Sequence, residues 1–133
     1  MNLRELLKKH EGLRLKPYVC TAGKLSIGYG RNLDDMGITK EEAEYLLEND
    51  IERTIRACRD AFGWFDTLTE ARQSVVSSMI FNMGLAGFKK FARTIAHIEA
   101  AHYDEAAREM LDSLWAKQVG SRAVELAQMM KEG

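Results

Sequence analysis

Glu11-Gly12-Leu13-Arg14-Leu15-Lys16-Pro17-Tyr18-Val19-Cys20-Thr21-Ala22-Gly23-Lys24-Leu25-Ser26-Ile27-Gly28-Tyr29-Gly30-Arg31-Asn32-Leu33 is the stretch on which the fold turns. Before it, Leu3, Leu6, Leu7 and His10 repeat at helical spacing, which predicts a helix over about residues 2–11 with Gly12 as its C-terminal cap. Within it the period changes to two. Leu15, Pro17 and Val19 alternate with Lys16, Tyr18 and Cys20, and Leu25, Ile27 and Tyr29 alternate with Ser26, Gly28 and Gly30. This is a hairpin pattern, and Thr21-Ala22-Gly23 suits a three-residue loop with Gly23 left-handed. That loop pairs Cys20 with Lys24 and Tyr18 with Ser26, so Tyr18, Cys20 and Ser26 share one face. A two-residue loop would put Cys20 and Ser26 on opposite faces.

Beyond the hairpin, Asn32 to Gly37 reads as a loop. Thr39-Lys40-Glu41-Glu42 is a capping box opening a long helix to about Asp60, with Ala43, Leu47, Ile51, Ile55, Cys58 and Phe62 as its apolar stripe. Some twenty residues at ~1.5 Å each extend about 30 Å, enough to bridge two lobes. Thr69 caps a helix over roughly 70–83. Val75, Val76, Met79, Ile80, Phe81 and Met83 make it apolar on more than one face, the mark of a central core helix. Gly84 and Gly87 break the pattern. Helices follow at about 91–101, 104–113 and 121–131, with Asp104 and Ser121 as expected N-caps. The fold class is therefore α+β and mostly α.

The chain has 133 residues, 46% hydrophobic and 29% charged, the balance of one soluble globular domain. A net charge of −1 supplies no general attraction to nucleic acid, so no nucleic-acid partner is expected. No apolar run approaches the roughly 20 residues of a membrane span, and charges interrupt the N-terminal helix, so it does not read as a signal peptide. Stable membrane association is not expected either. Cys20 and Cys58 have no metal-site spacing, and the expected reducing compartment argues against a disulfide; no metal and no cofactor are implied.

Glu11, eight residues, Cys20, five residues, Ser26 resembles the start of the phage-type lysozymes, the endolysins of the T-even phage lysozyme family, whose pattern is Glu, eight residues, Asp or Cys, five residues, Thr. Here the Glu is kept, Cys takes the rarer option and Ser replaces Thr. Gly37-Ile38-Thr39-Lys40-Glu41-Glu42-Ala43-Glu44-Tyr45-Leu46-Leu47-Glu48-Asn49-Asp50 resembles the start of the family's inter-lobe helix. Met79-Ile80-Phe81-Asn82-Met83-Gly84 is similar to its cleft-floor segment, and Tyr103-Asp104-Glu105-Ala106-Ala107 and the Trp115 region add to the likeness. The resemblance implies one lysozyme-like domain over residues 1–133. A small hairpin lobe (about 12–60) and a helical lobe (about 61–133 with the N-terminal helix 1–11) would be joined by the long helix. The chain is shorter than the T-even members, chiefly before Thr39 and at the C-terminus.

The same resemblance implies a muramidase cleaving the β-1,4 bond between N-acetylmuramic acid and N-acetylglucosamine in bacterial peptidoglycan. Glu11 would be the general acid. Its place at a helix C-terminus, where the dipole disfavours negative charge, suits a carboxyl that must hold a proton. Taken alone it reads as a surface glutamate. Cys20 stands where most relatives carry Asp. An unperturbed thiol has a pKa of ~8.5 and is about 3% thiolate at pH 7, unless Lys24 across the hairpin lowers it. It is a base, a nucleophile, a water-positioning group or simply a packed small hydrophobe. Ser26 would hold the attacking water.

Substrate contacts are expected at Tyr18, Asn32, Phe81, Asn82 and Arg122, the last falling where the family pairs an arginine with the catalytic Glu. Family members pair a His with an acid; the corresponding positions are Arg31 and Asp50, and an arginine keeps the ion pair but loses its titration near neutral pH. Gly28 and Gly30 read as bend residues. The protein is expected to be a monomer held in the host bacterial cytoplasm, then released to the wall or periplasm through a holin-type hole. A lytic transglycosylase using Glu11 alone is one alternative; a lysozyme-fold wall-binding module without catalysis is another.

Overall fold

The computed structural model describes residues 1–133. Its contacts divide the chain into two compact units, Met1–Leu46 and Leu47–Gly133.

In the first unit, α1 spans Leu3–Glu11. Asn2 caps it by accepting from the Glu5 N–H at 2.9 Å, an interaction of the kind worth about 1 kcal/mol. Gly12, with φ 71°, ends it by donating to the Lys8 carbonyl. The chain then enters a three-stranded antiparallel sheet, β1 (Arg14–Val19), β2 (Leu25–Gly28) and β3 (Arg31–Asn32), in the order β1-β2-β3. Pro17 is tolerated because β1 is an edge strand, and the ladder is irregular between Arg14 and Tyr18. The expected register is present: Tyr18 lies opposite Ser26, Val19 opposite Leu25, and the Cys20 N–H donates to the Lys24 carbonyl at 2.9 Å. Gly23 has φ 79°, so the three-residue loop closes as its length and glycine demand.

The segment expected as a loop after Asn32 differs. It holds a third short strand and a single helical turn, α2 (Leu33–Met36). Asn32 caps that turn through its side-chain oxygen, which accepts from the Asp35 N–H at 3.1 Å. Four residues carry too little periodicity to be seen in a sequence. The capping box forms as expected: Thr39 Oγ1 accepts from the Glu42 N–H at 3.1 Å, and Glu42 Oε1 accepts from the Thr39 N–H at 2.8 Å. From it runs α3 (Lys40–Ala61), which crosses the boundary between the units.

In the second unit the apolar stripe of α3 is only partly buried. Cys58 is fully enclosed, while Leu47 and Ile51 remain exposed. A 3₁₀ turn (Phe65–Thr67) leads to α4 (Glu70–Lys89), capped by Thr69. This helix runs beyond the expected residue 83. Gly84 breaks it with φ 80° and ψ 161°, but Gly87 does not. The remaining helices are α5 (Ala92–Glu99), α6 (Tyr103–Leu111), α7 (Leu114–Val119) and α8 (Ser121–Glu132). Two expected caps are displaced. His102 rather than Asp104 precedes α6, and Gly120 rather than Ser121 precedes α8. In both cases the expected capping residue lies inside the first turn, and the N–H groups ahead of it, at Ala106 and Ala123, already donate to the His102 and Gly120 carbonyls at 3.0 Å. The α7 turn was not legible in the sequence; Ser113 caps it, accepting from the Ala116 N–H at 3.1 Å.

The core of this unit gathers Val75, Val76, Met79 and Ile80 of α4 with Phe65, Ile98, Met110 and Met130. A run of aromatics crosses it: Phe62 packs edge-on against Phe88 at 5.7 Å, Phe88 stacks on Phe91 at 6.3 Å, and Phe91 meets Trp115 at 6.1 Å. Arg72 ties α4 to the end of α8. Its guanidinium donates to the Met130 and Lys131 carbonyls at 2.8 and 3.1 Å and lies 3.6 Å from the Tyr103 ring centre.

Candidate active site

Glu11 is the last residue of α1 and is solvent-exposed. The turn at Gly12 sends the chain straight into β1, which keeps the end of α1 beside the hairpin. Two contacts show how close it lies. Lys8 places its ammonium 5.4 Å from the Tyr29 ring centre, a cation–π distance. The Glu11 side chain lies directly over Gly30, so that a Cβ on Gly30 would stand 2.5 Å from Glu11 Oε2.

Cys20 is half-buried and free. Its thiol is held below its ordinary value, chiefly by the backbone N–H of Lys24, then by that of Ala22, with a smaller contribution from the Ser26 hydroxyl; partial desolvation opposes them. The Lys24 ammonium, expected to supply this effect, is instead paired with Asp35 at 3.3 Å. The tight turn therefore polarises Cys20 through its main chain. Ser26 is 2% exposed, the one buried polar residue of its unit, and its hydroxyl donates to the Lys24 carbonyl at 3.2 Å. The hairpin register thus brings Cys20 and Ser26 together, with Tyr18 across from Ser26 and its ring 4.8 Å from the Arg14 guanidinium. Asn32 sits opposite Ser26 on the other side. Its amide is occupied by the cap of α2, with Nδ2 donating to Asp35 at 2.8 Å.

The expected partner of Arg31 was Asp50. The structure corrects this. Arg31 makes a two-pronged contact with Glu42, at 2.9 and 2.7 Å, and donates to the Gly37 carbonyl at 3.0 Å. Asp50 pairs with Arg53 on its own helix at 3.4 Å. The planar fork of arginine matches both oxygens of a carboxylate, and Glu42 is held ready by the capping box. The Arg31 contact and the Thr39 N–H pull the Glu42 carboxyl down to about 2.

In the second unit, Phe81 is 48% exposed. With Leu47, Ile51, Ile55, Ser74 and Ser78 it lines an open groove of about 730 Å³. Asn82 does have the partner an amide on an apolar helix needs: its Oδ1 accepts from Trp115 Nε1 at 3.1 Å. Arg122 donates to Ser78 Oγ at 3.2 Å. Sequence reading missed Trp115 and Ser78 as partners, and missed the contact between Gly30 and Glu11. The only signal for the last was a glycine at position 30 in an otherwise alternating strand.

Comparison with known proteins agrees with the motif. The family model for phage lysozyme matches residues 8–130. An endolysin of Acyrthosiphon pisum secondary endosymbiont phage 1 is 32% identical over 121 residues, covering 88% of this chain and 80% of its own. A probable T4-type lysozyme of Dictyostelium discoideum is 26% identical over 161 residues, covering 99% of this chain and 95% of its own. The pre-baseplate central spike protein Gp5 of Enterobacteria phage T4 is 29% identical, and the match covers 100% of this chain but only 28% of the spike protein's length. These last two matches are longer than the chain, so both relatives carry internal residues with no counterpart here. A mostly helical chain with a small three-stranded sheet near its N-terminus, matched by the family model from residue 8 to residue 130, belongs to the phage lysozyme family.

Proposed function

We propose that this protein is a muramidase that cleaves the β-1,4 bond between N-acetylmuramic acid and N-acetylglucosamine in bacterial peptidoglycan, acting as a phage endolysin in host lysis. One observation carries the reading. A carboxylic acid at a helix end lies over a hairpin that also sets a polarised thiol against a buried hydroxyl. Glycoside hydrolysis needs such a set: an acid for the leaving oxygen and groups that act on the far side of the sugar.

In this reading Glu11 protonates the glycosidic oxygen as the bond to the sugar carbon breaks. Cys20 and Ser26 hold the attacking water, whose oxygen bonds to that carbon while its proton passes to bulk water, from which the Glu11 carboxylate is reprotonated. Tyr18 and Asn32 beside the hairpin, and Phe81, Asn82 and Arg122 on the helical unit, contribute glycan contacts. Residues 1–133 act as one lysozyme-like domain, and release to the wall depends on a holin-type membrane hole; no helix of the chain is long and apolar enough to cross a membrane.

The lowered thiol supports a second role for Cys20, as a nucleophile. The two differ in outcome. Water positioning predicts inversion at the sugar carbon, substantial activity in Cys20→Ser, and a Cys20→Asp variant equal to or better than the native protein. A nucleophile predicts retention and a sugar adduct on Cys20, visible in the intact mass with a slow substrate. Product analysis on purified peptidoglycan tests the whole reading. New reducing ends are expected; anhydro ends would show a lytic transglycosylase using Glu11 alone, and no cleavage would leave a wall-binding module.

A further inference from the structure

Gly28, the last residue of β2, and Gly30, two residues on, have nearly the same φ, 71° and 73°. Both conformations favour glycine. Their surroundings differ. A Cβ on Gly28 would meet no atom within 4 Å, whereas one on Gly30 would stand 2.5 Å from Glu11 Oε2, 2.9 Å from Cδ and 3.2 Å from Cγ. The space that a side chain at position 30 would fill is the space the Glu11 carboxyl occupies.

We propose that Gly30 is a positioning residue for Glu11, its bare Cα forming the seat that fixes where the carboxyl stands. The inference rests on the general-acid role of Glu11. That side chain is exposed and reaches the seat by rotatable bonds, so a methyl group at position 30 displaces the carboxyl without disturbing the fold. A displacement of this kind moves the proton donor off the line to the leaving oxygen. Misplacing a reacting group by about 1 Å can cost on the order of a hundredfold in rate.

The paired glycines supply the control. Gly30→Ala and Gly28→Ala carry the same left-handed strain, and both should lower the Tm by a similar few degrees, roughly 3–8 °C. On soluble peptidoglycan fragments, Gly30→Ala should lower kcat by about tenfold to a hundredfold with KM within about twofold, while Gly28→Ala keeps kcat within about twofold of the native protein. Because Gly30 acts through Glu11, adding Gly30→Ala to Glu11→Gln should cause no further loss. Gly30→Asn repeats the test with a residue that adopts positive φ more readily, so that poor folding of the alanine variant decides nothing by itself. Equal kcat in the two alanine variants overturns the proposal. So does a raised KM at unchanged kcat, which would make position 30 a wall against substrate, and so does an additive loss in the double variant. Full activity in Glu11→Gln is a separate result that removes the general-acid reading itself.

Discussion

The two units of this chain are built on opposite principles. Residues 47–133 enclose eighteen buried apolar side chains, from Cys58 to Met130, arranged around α4. Residues 1–46 enclose no apolar side chain to that degree, and their single buried residue is Ser26. The first kind of structure is stabilised by area removed from water, which is large and indifferent to exact geometry. The second is held by directed contacts: the Asn2 and Thr39 caps, the Arg31–Glu42 fork, the Asp34 carboxylate that accepts from the Leu25 N–H at 2.7 Å, and glycines at positive φ. Directed contacts add little stability each, but they fix where Glu11, Cys20 and Ser26 stand. The proposed chemistry lies in the unit that is specified by geometry, on a chain whose stability comes from the other.

The contrast breaks first at Phe88. It is fully buried between Phe62 and Phe91, and Phe88→Ala should cost about 3–5 kcal/mol. Denaturant unfolding would register it as a fall in midpoint; a loss below about 1 kcal/mol would mean that the helical unit does not depend on its core. Glu11→Gln is the converse experiment. It keeps shape and removes the transferable proton, so wall clearing should fall at least about a hundredfold with the melting curve unchanged. Near-native clearing would end the general-acid assignment.

A smaller effect tests the tethers. Glu42 has its carboxyl lowered to about 2 from an ordinary 4.5 by Arg31 and the Thr39 N–H. A lowered acid stabilises the fold above its unfolded value and loses that contribution as pH falls through the folded one. Glu42→Gln should therefore lower the Tm by a few degrees at pH 7, with the difference shrinking between about pH 5 and pH 2. Both partners are more than one-third exposed, so the shift stays modest. A difference that does not vary with pH would show that the ion pair contributes nothing. In a double-mutant cycle Arg31 should couple to Glu42 and not to Asp50.

The smallest change falls in the helical unit. Ala101, between α5 and α6, has φ 60°, and Ala101→Gly should stabilise by about 0.5–1 kcal/mol. An unchanged or lower Tm would show that no strain is stored there.

What the sequence determined by itself is what its local contacts decide. The hairpin register follows from three loop residues and one left-handed glycine, so Tyr18 opposite Ser26 was readable from spacing alone. The Thr39–Glu42 capping box spans three residues and was readable for the same reason. The apolar density of α4 marked it as the centre of the core, because burial on several faces requires side chains that avoid water all round. The motif of Glu11, Cys20 and Ser26 carried the family.

Tertiary structure alone decided the rest. The ends of helices depended on where the chain turns into each first turn, so His102 and Gly120, neither of which caps through a side chain, stand where Asp104 and Ser121 were expected. The single turn of α2 is held against β2 by the Asp34 carboxylate on the Leu25 N–H, and the short α7 is held by Trp115 buried in the core. Arg31 found Glu42 across 11 residues, Asn82 found Trp115 across 33, and Arg72 found the Met130 carbonyl across 58. Nothing in the spacing of such pairs names the partner, since each is set by how separate elements pack. The carboxyl of Glu11 over Gly30 is of this kind as well: the sequence supplies an acid and a residue without a side chain, and only the fold puts one in the space left by the other.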